Sequence, residues 1–238
     1  IQDYFGEEIA SNQKIYQLWG KIGKDRFWGD LFDVRFYLIY LLKNNEKNNI
    51  IDLGCGPGII SHFANSPLKI GIDFSFEALQ KAKNLNPEME LIQASMFDLP
   101  IKENTIKTVL SAHVIQATPK DQRKKACNEI KRISSKEGEI YMTWANLSSK
   151  QYKEKVQNIE LVDFDYNELN EFFSKEYNVS IKGYGPYSKK VMYIFKIIYK
   201  IPESIVEIFK IEEWIQRKLL IDKKIKNGKG CIMICKKR

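Results

Sequence analysis

The chain has 238 residues, of which 44% are hydrophobic, so it can bury the core of one domain without disulfides or structural metals. Its four cysteines form no C-x-x-C pair and have no histidine beside them at ligand spacing, which excludes a zinc motif and favours reduced thiols in a cytoplasmic protein. The formal net charge of +8 is concentrated in residues 189–238, which hold 14 Lys or Arg against 5 Asp or Glu.

The first 43 residues predict two helices that carry many aromatic side chains, and they contain no signal-peptide pattern. Most aromatic side chains at such spacing belong to a core, whereas a subset would line a substrate pocket. We therefore expect a helical N-terminal cap over residues 1–43.

Residues 50–58 read Ile-Ile-Asp-Leu-Gly-Cys-Gly-Pro-Gly, which predicts a buried parallel strand, a glycine loop and then an apolar helix. Glycine has no Cβ and tolerates positive φ, so such a loop lets a ligand approach the backbone closely. A dinucleotide fingerprint needs G-x-G-x-x-G, whereas the third glycine here comes one residue early. Asp52 would repel a pyrophosphate and suits a cationic ligand.

The D-x-G-x-G-x-G pattern after a strand resembles motif I of the class I S-adenosylmethionine (SAM) methyltransferases. The resemblance is good over residues 49–145 and implies SAM, which carries a sulfonium and an ammonium, as the cofactor. It also implies an α/β fold with three Rossmann-like layers, a seven-stranded sheet in the order 3-2-1-4-5-7-6 and an antiparallel seventh strand. The loop residues that it assigns to the cofactor are Asp52, Gly54, Cys55, Gly56 and Gly58.

Asp73 ends a predicted strand at residues 68–73 and lies 19 residues after Gly54, near the spacing of an acid that binds ribose hydroxyls. The family resemblance assigns it that role, against the alternatives of a helix N-cap or a solvated loop acid. Phe74, next in the chain before a helix predicted over 75–85, is also assigned to the cofactor.

Arg35 lies 17 residues before Asp52. Some quinone-pathway methyltransferases that this chain resembles place an Arg near that position to bind the SAM carboxylate, which suits the planar guanidinium. A surface salt bridge is the alternative.

Residues 90–100 resemble the third-strand segment of the family, which usually supplies an Asp to accept a hydrogen bond from the adenine amino group. Ser95 stands at that position and offers a weaker, neutral acceptor. The Met96 amide would read the edge of the adenine ring, and Phe97 would pack on it.

Residues 107–111 predict the fourth strand, and in related enzymes the backbone just after it faces the methionine end of SAM, which implicates Ser111. His113 follows closely, and a neutral imidazole there would accept a proton from a substrate hydroxyl or an acidic carbon. Packing in the loop or capping of the next helix is the alternative. His62, in the helix after the glycine loop, is predicted to be structural.

A helix is predicted over residues 120–133, followed by a polar turn at 134–137 and a fifth strand at 138–143, with the last strands at 178–183 and 230–235. This alternation of strands and helices predicts a parallel, doubly wound sheet. We expect a single domain whose parts are the N-terminal cap (1–43), the SAM-binding core (44–184), a basic helical lid insertion (185–228) and the last strand (229–238).

The basic insertion carries large apolar residues interrupted by lysines and by Pro202, which excludes a membrane span of about 20 apolar residues. Three interpretations stay open. It is an ordinary helical cap, or it covers a lipophilic substrate or touches an anionic membrane surface, or it is a nucleic-acid patch.

The sequence therefore favours a SAM-dependent methyltransferase that transfers a methyl group to oxygen or carbon of a small-molecule or lipid-linked acceptor. The closest resemblance is to the ubiquinone- and menaquinone-biosynthesis type. The expected location is cytoplasmic, with peripheral contact at the inner face of the membrane as a further option. The alternatives are an RNA methyltransferase that uses the basic segment, with steeply salt-dependent binding, and a SAM-binding protein without turnover. The sequence leaves the oligomeric state open.

Overall fold

The structure is a computed structural model. The residues that it describes are 38, 41–42, 48–62, 64–145, 165–184, 221–222 and 230–238. Arg35, most of the predicted N-terminal cap and nearly all of the predicted lid insertion lie outside these residues.

The described strands are β1 (Ile50–Leu53), β2 (Lys69–Asp73), β3 (Glu90–Gln93), β4 (Ile106–Ala112), β5 (Ser134–Ala145), β6 (Tyr177–Tyr184), β7 (Ile221–Asp222) and β8 (Gly230–Lys237). They form one mainly parallel sheet in the order β3-β2-β1-β4-β5-β8-β6-β7. The pairs β1–β2, β2–β3, β1–β4 and β4–β5 are parallel, whereas β8 runs antiparallel between β5 and β6. The predicted order 3-2-1-4-5-7-6 is confirmed, with β8 as the antiparallel seventh strand and β7 as an additional short pairing at the edge.

Helices follow three of the first four strands, and two of the described helices begin at a residue whose side chain caps a backbone amide. The Ser75 side chain accepts a hydrogen bond from the Ala78 amide at the start of the second helix, and Asp165 does the same for Asn167 at the start of the fourth. Leu38 and Leu42, from the predicted N-terminal cap, are also helical and fully buried. The helices with described bounds are α1 (Ile59–His62), α2 (Phe76–Leu85), α3 (Lys120–Ile133) and α4 (Tyr166–Ser174), with a 3₁₀ turn at Ile115–Ala117.

The main hydrophobic core lies between the sheet and the pair α3 and α4. Buried side chains of β1, β4, β5 and β8 contact the apolar faces of these two helices. Burying each large side chain contributes roughly 1.5–3 kcal/mol, so this layer holds the centre of the sheet rigidly. Its members include Leu53, Val109, Ile130, Met142, Phe173 and Met233.

The predicted polar turn at residues 134–137 is wrong, because β5 begins directly at Ser134. The pairing with β4 jumps from Ile106–Ser134 to Thr108–Glu139, so the extra residues of β5 bulge out of register. A Cβ on Gly138 would come within 2.5 Å of the Ser134 hydroxyl oxygen, which shows how tightly the bulge folds. The polar residues therefore belong to an irregular strand rather than to a loop.

Candidate functional site

The glycine loop lies at the carboxyl end of the central strand β1, between β2 and β4. Its first two amides, Gly54 N–H and Cys55 N–H, both donate to the Ile72 carbonyl of β2, at 2.7 and 3.0 Å. The three glycines have φ of +68°, +53° and +73°, the left-handed region that side chains with a Cβ avoid. The spacing of Gly54, Gly56 and Gly58 thus reflects a backbone path that other residues would strain.

Two of these glycines are also in close contact with neighbouring elements. A Cβ on Gly54 would lie 2.3 Å from Cγ2 of Val114, which follows β4. A Cβ on Gly58 would lie 2.7 Å from Nδ2 of Asn86, at the end of α2. The loop is therefore fixed from both sides, and sequence reasoning missed both partners.

Asp52 is 1% exposed and lies beneath the loop on β1. One carboxylate oxygen, Oδ2, accepts a 2.6 Å hydrogen bond from the Ser61 hydroxyl of α1. The other, Oδ1, is buried and accepts no hydrogen bond from the described residues. Burial raises the pKa of Asp52 to about 7, against the opposing Ser61 hydrogen bond and with a smaller contribution from Asp73. A positive group beside Oδ1 would favour the ionised carboxylate.

Asp73 joins the glycine loop to the start of α2. Its Oδ2 accepts from the Gly56 amide at 2.8 Å, and its Oδ1 accepts from the Ser75 amide at 2.9 Å. Burial raises the pKa of this carboxyl, while the backbone hydrogen bonds from Ser75 and Gly56 oppose the shift. Since Asp73 is 5% exposed and Ser75 is the N-cap of α2, neither alternative interpretation of this acid holds.

The residues predicted to contact adenine follow β3 in the chain, close to Asp73, whose carbonyl accepts from the Ala94 amide at 3.2 Å. Phe74 is 48% exposed, and its carbonyl accepts from the Gln93 side chain of β3. The Ser95 hydroxyl is exposed and accepts from the Phe97 amide at 3.2 Å, so it caps a turn. Met96 and Phe97 are half-buried against the main core. Phe74 and the Ser95 turn follow neighbouring strands, β2 and β3, at the same edge of the sheet.

The end of β4 forms the opposite side of the site. The Ser111 hydroxyl is fully buried and has no hydrogen-bond partner among the described residues. His113 has φ of +62°, and its amide donates to the Thr143 carbonyl of β5 at 2.9 Å. The next residue, Val114, packs on Gly54, so His113 lies one residue away from a contact with the glycine loop. The roles predicted for Ser111 and His113 stay predictions.

Cys55, inside the loop, is buried, and its thiol donates to the Gly56 carbonyl at 3.6 Å. Burial is the main reason why the pKa of this thiol is raised, with further contributions from Asp52 and Asp73. Cys55 thus stays a neutral thiol and contributes its backbone to the loop. Among the described residues no group of three His, Cys, Asp or Glu side chains is arranged to hold a metal ion.

Asn86 is a residue of the site that sequence reasoning missed. It is 4% exposed, its Nδ2 donates to the Gly58 carbonyl at 2.9 Å, and its Oδ1 lies 2.9 Å from His62 Nδ1. The Asn86-Pro87 dipeptide marks the end of α2 in the sequence, since the residue before a proline disfavours helix. The Asn86-Pro87 dipeptide therefore predicts where the helix ends, but it does not predict what the Asn86 side chain contacts.

Comparison with known proteins identifies the family. Residues 44–197 match the family described as a methyltransferase domain, which is more than half of the chain. Together with the sheet order, this match shows that the chain belongs to the class I SAM-dependent methyltransferases. No helix in the described residues is long and apolar enough to cross a bilayer.

The chain is similar to a malonyl-[acyl-carrier protein] O-methyltransferase of Hamiltonella defensa, with 30% identity over 146 residues. This alignment covers 60% of the chain and 55% of the relative, so the chain spans about half of that protein's length.

Solved structures share the fold. A SAM-dependent methyltransferase from Archaeoglobus fulgidus has a TM-score of 0.62 at 13% identity, over 93% of this chain and 99% of that one. A possible histamine N-methyltransferase from Thermotoga maritima has a TM-score of 0.59 at 16% identity, over 86% and 94% of the two chains.

Proposed function

We propose that the chain binds SAM across the glycine loop and transfers its methyl group to a small-molecule or lipid-linked acceptor. The observation that carries this proposal is the buried Asp52 carboxylate, whose Oδ1 has no hydrogen-bond partner among the described residues, beneath three left-handed glycines. An unpaired acceptor in a buried position costs free energy, and a cationic ligand above it would recover that cost.

The residues present suit the parts of SAM. The left-handed path through Gly54, Gly56 and Gly58 would let a ligand approach the loop backbone closely. Asp73 would accept from ribose hydroxyls with the lone pairs that its two backbone hydrogen bonds leave free. Phe74 offers an exposed aromatic face, and the Met96 amide and Phe97 would flank the adenine. Ser95, exposed and neutral, would contribute least.

Bound SAM supplies an already activated methyl group, so the chain has mainly to orient an acceptor, exclude water and manage one proton. We place the acceptor beside the end of β4, near Ser111 and His113. His113 would accept the proton of a hydroxyl or of an acidic carbon. A carboxyl acceptor is already ionised at neutral pH and would need no base.

The O-methyltransferase relative supports an oxygen acceptor over a carbon acceptor. The proposal of a lipid-linked acceptor rests on the apolar, basic segment 185–228, whose sequence suits a cover over a lipophilic substrate. Contact with an anionic membrane surface is part of the same proposal, and the protein would then work at the cytoplasmic face.

A labelled-methyl assay against separate lipid, small-molecule and RNA fractions tests this function. We expect label in the lipid or small-molecule fraction. Label in RNA alone would replace the proposal with an RNA methyltransferase. Calorimetric binding of SAM with no label in any fraction would instead indicate a binding protein without turnover.

A further inference from the structure

Asn86 is buried at a junction between α2 and the glycine loop, 28 residues away from the glycine that it contacts. Its backbone is fixed on both sides, because its amide donates to the Ala82 carbonyl and its carbonyl accepts from the Met89 amide. The side chain consequently has little freedom to choose other partners.

The nitrogen and the oxygen of the Asn86 side-chain amide both bind residues 58–62, the end of the glycine loop and the helix α1. Nδ2 donates to the Gly58 carbonyl, which also accepts the His62 amide at 3.0 Å as the hydrogen bond that closes α1. Oδ1 can only accept, so His62 presents its Nδ1–H to it. Asn86 also fills the space beside Gly58 that a Cβ would occupy.

The described part of α1 is short, spanning Ile59–His62, and intrahelical bonds alone stabilise such a turn poorly. Yet α1 carries Ser61, whose hydroxyl holds Oδ2 of Asp52 at 2.6 Å. The orientation of the Asp52 carboxylate, and hence the direction of its unpaired Oδ1, depends on where α1 lies.

We propose that Asn86 is a positioning residue of the cofactor site. Through Gly58 and His62 it holds α1 so that Ser61 engages one oxygen of Asp52 and leaves the other for the ligand. This inference rests on the proposed function, since it concerns the same site, but Asn86 itself touches no reacting atom.

Asn86→Asp tests the proposal with almost no change in shape. It replaces the Nδ2 donor with a second oxygen, which would face the Gly58 carbonyl without a proton between them. Asn84→Asp is the matched control, because Asn84 is exposed on the same helix and the charge change is identical. The dissociation constants of SAM and of its demethylated product are measured by calorimetry at 20 °C or below, on protein shown to be folded.

We expect Asn86→Asp to weaken binding of both ligands about tenfold, equivalent to the loss of one hydrogen bond in a buried position, and Asn84→Asp to stay within twofold of wild type. Hydrogen exchange of the ligand-free protein is the second readout. The amides of residues 58–62 should exchange at least tenfold faster in Asn86→Asp, whereas those of α3 should not change. A role in stability alone would lower the melting temperature and leave both dissociation constants unchanged.

His62→Ala tests the same network in a variant that is expected to fold, because the imidazole is exposed. It should weaken SAM binding about threefold and accelerate exchange at residues 58–62. Binding within twofold of wild type in Asn86→Asp, or in His62→Ala if Asn86→Asp does not fold, overturns the inference. Wild-type protein that binds no SAM refutes the proposed function instead, and the exchange data then still decide whether Asn86 holds α1.

Discussion

The two sides of the site are built differently. On the cofactor side, Asp73 uses both oxygens on backbone amides, and the glycine loop bonds to β2 and to Asn86. On the acceptor side, the hydroxyls of Ser111 and Thr143 are buried without partners among the described residues. The first side is a backbone framework defined by spacing in the sequence. The second is a set of side chains at the ends of β4 and β5, and we expect the segments 1–43 and 185–228, nearly all of which lie outside the described residues, to complete it.

The largest expected effect comes from the point where the two sides touch. Gly54→Ala would place a Cβ 2.3 Å from Val114 Cγ2 in a left-handed residue, so we expect SAM affinity to fall on the order of 100-fold and stability by about 1–3 kcal/mol. Thermal denaturation and calorimetry measure both.

Val114→Ala serves as the control, and the double variant separates steric overlap from backbone strain. Removing the Val114 methyls relieves the overlap but not the positive φ, so the double variant should recover part of the lost affinity. Full recovery would mean that the left-handed backbone costs little, and no recovery would mean that the overlap was not the cause.

Asp73→Asn tests the cofactor side alone. In the wild type, the backbone amides of Gly56 and Ser75 donate to the two oxygens of the Asp73 carboxylate. The side-chain NH₂ of the new Asn would face one of these two donors without an acceptor between them, so we expect about 10–100-fold weaker SAM binding. Asp121→Asn, an exposed acid in the first turn of α3, is the charge-matched control. Equal affinities in the two variants would remove Asp73 from the site.

The pH dependence of binding tests Asp52. The folded protein holds this proton more tightly than the unfolded chain, whose carboxyl has the ordinary pKa of 3.8. The stability that this proton gives is fully present below that value and is lost as pH rises through about 7. A cationic ligand needs the ionised form, so SAM should bind more tightly as pH rises from about 6 to 8, by about tenfold over that whole range.

Calorimetry in buffers of different ionisation enthalpy detects the proton that wild-type protein should release on binding SAM. Asp52→Asn should abolish both the release and that part of the pH slope. If the pH dependence of SAM affinity persists in Asp52→Asn, a group other than Asp52 is responsible for it.

The smallest effect on the cofactor is expected at His113. His113→Ala should leave SAM affinity within about twofold of wild type, because we propose that the imidazole faces the methyl acceptor and not SAM. The methyl-transfer rate should fall about 10²–10⁴-fold for a hydroxyl or carbon acceptor and stay unchanged for a carboxyl acceptor. A loss of SAM affinity as large as that of Asp73→Asn would contradict the division of the site into two sides.

The same division explains what the sequence could predict. The helix predicted over residues 120–133 has the same bounds as α3 in the structure, and local spacing identified the glycine loop. The β5 bulge was missed because four polar residues look like a turn until the pairing with β4 is known.

Contacts between distant segments were beyond local patterns. Spacing identified Asp73 as a candidate cofactor residue, but it did not reveal the hydrogen bond that Asp73 accepts from the Gly56 amide, 17 residues away. Nor did it reveal the bond from Asn86 to the Gly58 carbonyl, which spans 28 residues. The N-cap alternative for Asp73 could be dismissed only when Ser75 was seen to accept from Ala78.

A crystal structure with S-adenosylhomocysteine, the demethylated product of SAM, tests the central claim most directly. The account predicts the ribose hydroxyls within hydrogen-bond distance of the Asp73 carboxylate and the amino-acid end above Asp52. Density for the ligand elsewhere on the protein, or a ribose that does not touch Asp73, would contradict it.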